Sequence, residues 1–548
     1  MNKPIKYLKG KVATLLTVMA LVSCNDYLEV EPKDQITDAA LWANTGNADL
    51  FLNNIYASVP GPFNTDDLED NYTDDSMNGI PGRVSGTLYA NSTYTPSNAP
   101  SYWGHYANIR KCNLFIEKVT ASSFADTWKS LRLAEARFLR AYFYQLLWTH
   151  YGGVPLITDV LNRNTQGDDI FRARATDEET YQFIIDECTA IADALPVKAA
   201  EAGRATKGAA LTLKGWCELF AASPLKNPTN DLSKWANAAA TNKQVIDLNA
   251  YSLFPDYETM FYEENNNNVE VIFDRHYLGG TAIGGSREGL QGPWIVGGTQ
   301  KAWGGVDPTQ DIVDEYAMAN GLPITDPASG YDPQQPYLNR EKRFYQSIVY
   351  DGSSWLGFEM VMKRIPGNRN ATDLANFNEA TNTGYYLRKG LNPKYAINGN
   401  QRFNSASFII FRYAEVLLNY AEAQNEAVGP DQSVHDAVNA VRERSDLPPL
   451  PIGLSQDEMR TAIRRERRVE LAFEQKRWYD LIRWKLAEVN LNRPVHAMLI
   501  EEENGVWVYK VINAPGGNKT FYPEKNYFFP IPQSALNQNS LLTQNPGY

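Results

Sequence analysis

The sequence predicts a mainly α-helical protein in which helical hairpins are interrupted by one long irregular insertion. Three observations carry this. Apolar residues recur at spacings of three and four in several separate windows. Those windows come in pairs, each closed by Gly or Pro. Between about residues 250 and 405 the periodicity gives way to Gly, Asn, Asp, Pro and aromatic residues. At 548 residues, with 43% hydrophobic and 21% charged, the chain has the length of one large domain or several and the composition of a globular protein.

Residues 1–23 read as a lipoprotein signal peptide. Lys3, Lys6, Lys9 and Lys11 precede an apolar stretch, Val12 to Val22, that is too short to span a bilayer. It ends in Leu21-Val22-Ser23-Cys24, the pattern of a lipobox, so cleavage before Cys24 and lipid on its thiol are expected. The plainer alternative is a secretory signal beside a chance cysteine. Residues 24–40 form the tether. No later stretch approaches the length of a transmembrane helix.

The first helical pair covers Trp103 to Val119 and Leu131 to Trp148. In the second member Leu131, Ala134, Phe138, Ala141, Gln145 and Trp148 share a face, Gly152 and Gly153 cap the end, and Pro155 stops it. The next pair is Asp177 to Leu195, ended by Pro196, and Ala205 to Ala222, ended by Pro224. Ala205, Gly208, Thr212 and Gly215 make a stripe of small residues that suits close helix packing. In the insertion, Val269 to Phe273 has the composition of a strand, but long loops are expected to dominate. Helices resume at Phe408 to Glu426, Ser433 to Arg444 and Asp457 to Glu488, and residues 491–548 read as loops with short strands. Repeated hairpins of this kind resemble a solenoid, although their spacing is too uneven to define a repeat.

Charge excludes some functions. The formal net charge is −12, and loss of the lysine-bearing leader makes the mature chain more acidic still. Neither nucleic acid nor an anionic lipid surface is a natural partner. Beyond Cys24 there are three cysteines, Cys112, Cys188 and Cys217; an odd number cannot pair completely, and their apolar neighbours predict buried free thiols.

The densest charged motif runs from Glu466 to Asp480. Glu466, Glu470 and Glu474 stand four apart on one helix face, with Arg467 and Arg477 interleaved and Asp480 following. Paired carboxylates can serve as general acid and base. Interleaved arginines would instead hold them ionised, which suits an ion-pair network that locks helices together. The five histidines, His105, His150, His276, His435 and His496, are scattered, and no zinc, phosphate-loop or nucleophile-elbow motif is present. Asp307, Asp311 and Asp314 offer a calcium set or a solvated helix face, the second being the expectation. No cofactor or metal is called for.

Several stretches resemble one family. They are Leu133-Ala134-Glu135-Ala136-Arg137-Phe138-Leu139-Arg140-Ala141-Tyr142 leading to Tyr151-Gly152-Gly153-Val154-Pro155-Leu156; Arg204-Ala205-Thr206-Lys207-Gly208-Ala209-Ala210; and Phe411-Arg412-Tyr413-Ala414-Glu415-Val416-Leu417-Leu418-Asn419-Tyr420-Ala421-Glu422-Ala423. Glu466-Arg467-Arg468-Val469-Glu470-Leu471-Ala472-Phe473-Glu474 continues to Arg477-Trp478-Tyr479-Asp480-Leu481, and the chain ends in Phe529-Pro530-Ile531-Pro532 and Gln544-Asn545-Pro546-Gly547-Tyr548. With the lipidated start at Cys24, these run in the order of the SusD/RagB family of nutrient-binding outer-membrane lipoproteins. The resemblance implies one domain over 41–548: a scaffold of tetratricopeptide-like pairs over about 41–250 and 406–490, and an irregular ligand-binding lobe over about 251–405. It further implies a non-enzymatic, lipid-anchored protein at the cell surface. Such a protein passes oligosaccharides, or less often peptides, to a SusC-like TonB-dependent transporter.

Ligand contacts then fall to aromatic and polar side chains on loops, because sugars stack their C–H faces on flat rings and pair their hydroxyls with polar groups. The stretch Asp74 to Trp103 supplies Asp75, Arg83, Tyr102 and Trp103, and the glycine-rich part of the insertion supplies Trp294 and Trp303. Trp148, Trp216 and Trp478 lie on apolar helix faces and belong to the core. An all-helical glycoside hydrolase and a protein-binding scaffold are the competing readings; the first needs an exposed carboxylate pair in a cleft, the second a concave face without exposed rings.

Overall fold

In the computed structural model, residues 38–61, 68–79, 88–277, 287–370, 381–396 and 404–548 are described. The leader, Cys24 and Arg83 lie outside them.

Helix α1 (Thr45–Tyr56) begins where the Asn44 side chain accepts from the Asn47 N–H. It packs on the first predicted pair, α2 (His105–Ala121) and α3 (Asp126–Tyr151). Gly152 ends α3 with φ +72, and a Cβ on Gly153 would stand 2.1 Å from the Ala175 carbonyl oxygen. Both glycines are therefore dictated by backbone geometry. The second pair is α4 (Asp177–Ile191), opened by a Thr176–Glu179 capping box, and α5 (Lys207–Ala222). The small-residue stripe of α5 has a specific use. A Cβ at Gly215 would lie 2.7 Å from Asn242 Nδ2 on a further helix, α6 (Leu232–Asp247), and one at Gly208 would meet the Tyr251 hydroxyl.

The insertion is closed at its base by strand β1 (Val271–Arg275) paired antiparallel to β2 (Phe408–Arg412), with Phe408 opposite Arg275 and Arg412 opposite Val271. This corrects the expected helix from Phe408: the run Phe-Ile-Ile-Phe forms a strand, and helix α7 (Tyr413–Val428) starts only after it. Helix α8 (Gln432–Arg444) follows, then α9 (Gln456–Glu470), opened by a Ser455–Glu458 capping box. The expected continuous helix to Glu488 is a second correction. Phe473 and Gln475 adopt φ +61 and +59, which breaks the chain before α10 (Arg477–Arg483). The C-terminal region is also more regular than expected: β3 (Pro494–Glu503) and β4 (Val506–Asn518) form a long hairpin turning at Asn504-Gly505.

The three largest of the hydrophobic clusters among the described residues set the layout. One fills the scaffold around Phe138 and Trp148 and includes Cys112, Cys188 and Cys217, all free and buried. A second lies among α6 to α9 around Trp235, Leu418 and Val438. The third belongs to the lobe, where Trp294, Tyr316, Phe344 and Tyr386 meet Phe473 and Met498 from the C-terminal part of the chain. The chain end returns to the scaffold: Asn545 Nδ2 donates to the Tyr151 and Phe529 carbonyls at 3.1 and 2.7 Å. No helix among the described residues is long and apolar enough to cross a membrane.

Candidate functional site

The break between α9 and α10 organises the charged motif. Glu466 takes Arg343 at 2.6 Å and Arg442 at 3.2 Å. Glu470, fully buried, is surrounded by Arg343, Arg412 and Arg444. Glu474 pairs with Arg412 at 2.7 Å and Lys389 at 2.6 Å. Arg467 and Arg483 share Asp480 at 2.8 and 2.9 Å. Burial alone would raise Glu470 and Glu474, but the cations win: Arg412 and Lys389 bring Glu474 down to about 2, and Arg444, Arg412 and Arg343 hold Glu470 well below the usual range. Acids held ionised in this way cannot donate protons near neutral pH.

The same network anchors the loop that carries the candidate contacts. Arg477 donates to both oxygens of Asp74 at 2.9 and 2.8 Å, Asn490 adds a bond at 2.7 Å, and Arg468 bridges Asp74 and Asp75 at 3.1 and 2.7 Å. Burial raises Asp74, yet Arg468 and Arg477 outweigh it and hold it far below its ordinary value. Asp75 is 0% exposed, so its carboxylate belongs to this clasp and faces no ligand, which corrects its assignment as a contact. Loop composition could not show this, because its partner lies 393 residues away.

Just beyond the clasp, Ser76 and Met77 pair with Pro308 and Asp307. The backbone of Gly79 comes so close that a Cβ there would sit 2.3 Å from the Gly304 carbonyl oxygen. Gly304 and Gly305 donate in turn to the Gly292 and Leu290 carbonyls at 2.9 and 2.8 Å. Trp303 is carried on this fixed turn and is 41% exposed. Trp294 is not: it is 2% exposed, sits in the lobe core and has the Arg369 guanidinium 4.0 Å over its ring, so it cannot act as an open platform. Asp307 corrects another expectation. It lies in a strand rather than on a solvated helix face and is fully buried, which raises it well above the carboxylate range, while Asp311 pairs with His496. Among the described residues no group of three or more metal-ligating side chains occurs.

At the far end of the same stretch, Tyr102 turns inward. Its ring stacks on His150 at 3.5 Å and its hydroxyl donates to Glu69. Trp103 is half-buried, packed edge-on against Tyr151 at 5.3 Å and tilted on Tyr106 at 5.0 Å. Its remaining surface lines a groove of about 230 Å³ with Tyr106, Phe171, Arg172, Gln538 and Asn539. That mixture of rings, one cation and two amides can stack against C–H faces and pair with hydroxyls. The last five were not singled out in the sequence. Tyr106 carried a usable signal, one helical turn after Trp103; Gln538 and Asn539 reach the groove only through the tertiary fold.

The fold is a helical scaffold with aromatics carried on its loops, and the comparisons place it in a family. Residues 269–548 match the family model described as SusD family, and residues 26–214 match one described as starch-binding associating with outer membrane. The chain belongs to the SusD family. It is similar to the crystal structure of a SusD-like protein from Bacteroides fragilis, with 28% identity and a TM-score of 0.77 over 94% of this chain and 100% of that one. A SusD-like carbohydrate-binding protein from the same species aligns at 26% identity and a TM-score of 0.75, over 92% of this chain and 100% of that one. A SusD-like protein of Formosa agariphila is 24% identical over 90% of this chain and 95% of its own length.

Proposed function

We propose that the protein is a lipid-anchored surface protein that captures oligosaccharides and delivers them to a TonB-dependent transporter without transforming them. The observation that carries the reading is the pair of indole surfaces, Trp303 exposed on its turn beside Gly79 and Trp103 held by Tyr106 and Tyr151 while opening onto its groove. Rings held this way lose little freedom on binding. The family model described as starch-binding and the carbohydrate-binding relative support a glycan as the ligand class. The arginine-locked carboxylates support a binder over a hydrolase. Anchoring rests on Cys24.

A polysaccharide gel-shift screen followed by calorimetry tests the ligand class: a retarded glycan that is not consumed is expected, and product release lost on mutation of one Asp or Glu would refute the reading. Cys24→Ala should move the protein from membranes to the soluble fraction in cells lacking the transporter; retention in the membrane would end the anchor proposal. Peptide cargo is the second reading, and strongly salt-dependent binding would favour it.

A further inference from the structure

A second cavity, of about 340 Å³, lies on the inner side of Tyr102, where α3, α5 and α10 meet strand β2, and shares no lining residue with the Trp103 groove. Tyr142 and Gln145 of α3, Trp216 of α5 and Tyr479 of α10 form its walls, with Glu69 and Tyr102 at one side. The volume is that of a small-molecule site, and the lining combines ring surface with a few convergent polar groups.

Its charged groups differ in how they are paired. Glu474 and Lys476 also border the space, but Glu474 is matched by Arg412 and Lys389, and Lys476 by Glu415 at 2.9 Å. Among the described residues no Lys or Arg reaches Glu69. Its one basic neighbour is His150, whose Nε2 stands 3.7 Å away. The His150 Nδ1 lies 2.6 Å from the Leu146 carbonyl oxygen and must donate there, which turns Nε2 toward Glu69 and the Tyr479 hydroxyl. Tyr102 donates to the Glu69 carboxylate. Burial, and then the charge of Glu69, keeps both Tyr102 and Tyr479 protonated. Beside it, Asp70 is pushed up to about 8, first by burial, then by Asp75 and Glu69 among its neighbours. The Tyr142 hydroxyl and the Gln145 amide have no hydrogen-bond partner among the described residues. A carboxylate that no Lys or Arg reaches among the described residues, set among electron-rich rings, is what an organic cation seeks.

We propose that this cavity binds a small ligand carrying one protonated primary amine on a body about the size of a sugar ring, its ammonium against Glu69 and its body against Trp216 and Tyr142. An amino sugar and the amino terminus of a peptide share this chemistry. The site is separate from the loop surface, so it stands whether or not the loops bind glycan.

Calorimetry on the full-length protein in detergent tests it with glucosamine against glucose and leucinamide against its des-amino analogue. At least one amine should bind about tenfold or more tightly than its neutral partner, and sodium chloride should weaken it. Which amine binds assigns the source. Glu69→Gln keeps an acceptor for Tyr102 and should abolish the preference; Trp103→Ala and Trp303→Ala should leave it intact. If Glu69→Gln does not fold, Gln145→Phe fills the cavity and should remove amine binding. Equal affinity for amine and neutral probes, no binding of either amine at millimolar concentration, or a preference that survives both cavity variants overturns the proposal.

Discussion

The stretch from Glu69 to Trp103 begins and ends in opposite physical regimes. At one end Asp74 and Asp75 are fully buried and tied to arginines. At the other, Trp103 keeps part of its ring open to a groove, and the turn touching Gly79 holds Trp303 out at 41% exposure. In the first regime every side chain is fixed by a charge count, and changing one leaves an orphan. In the second, a side chain matters only for the surface it offers. Stability and recognition are therefore expected to separate cleanly by mutation.

The largest effect belongs to the charged base. Glu470→Ala strands Arg343, Arg412 and Arg444 without their shared acid and should cost about 3–5 kcal/mol, read as a fall in Tm. A variant with unchanged Tm and abolished ligand binding would break the separation. Acid should act on the same region. Glu422 and Glu474 go from an ordinary 4.5 to about 2 in the folded protein, despite burial, because Arg483 holds the one and Arg412 with Lys389 the other. Depressed pKa values give stability that is present above the unfolded value and lost as pH falls through the folded one. Tm should then drop between about pH 4.5 and 2. Glu218 works in the opposite sense: burial raises it to about 7, so its contribution is full below the unfolded value and is lost as pH rises through about 7. A Tm profile flat across the acid window would show that the arginines do not hold these acids.

Next come the rings. Trp103→Ala and Trp303→Ala should each cost about 2 kcal/mol of affinity if central, roughly 30-fold. Their stability effects should differ: Tm should hardly move for exposed Trp303, but should fall for Trp103, which packs on Tyr151 and Tyr106. Two well-folded variants that bind like the parent would remove both residues from the site. The smallest effect concerns salt. Affinity for a neutral glycan should be nearly unchanged when ionic strength is raised, since no charge pair is screened.

The sequence was a good guide wherever structure is local. The face of α3, the small-residue stripe of α5 and the Gly152-Gly153 stop all act within a few positions, and the structure keeps them. Where local signals were weak or mixed, the reading failed. Helix α6, Leu-Ser-Lys-Trp-Ala-Asn-Ala-Ala-Ala-Thr, offers few large apolar residues and buries small ones instead. The break at Phe473 and Gln475 contains neither Gly nor Pro; tertiary ion pairs on both sides make it necessary. Asn504-Gly505 was a hairpin signal left unused. For the candidate site, composition pointed to loops but could not sort their members. Trp294 and Trp303 stand nine positions apart in similar surroundings, and only packing distinguishes the buried ring from the exposed one.

The clasp on Asp74 also sets an order of events in the making of the molecule. Its acceptor is separated from Arg468 by 394 residues and from Arg477 by 403. The thermodynamic penalty for closing so long a loop grows only slowly with its length, but the search is slow. Two adjacent carboxylates near the amino terminus cannot be buried until their counter-charges have emerged from the ribosome, which happens when nearly the whole chain has been synthesised. A chain truncated before α9 would leave Asp74 and Asp75 without Arg468 and Arg477 and in water, within reach of proteases. The buried charges thus act as a late checkpoint: the clasp cannot close until Arg468 and Arg477 have been made.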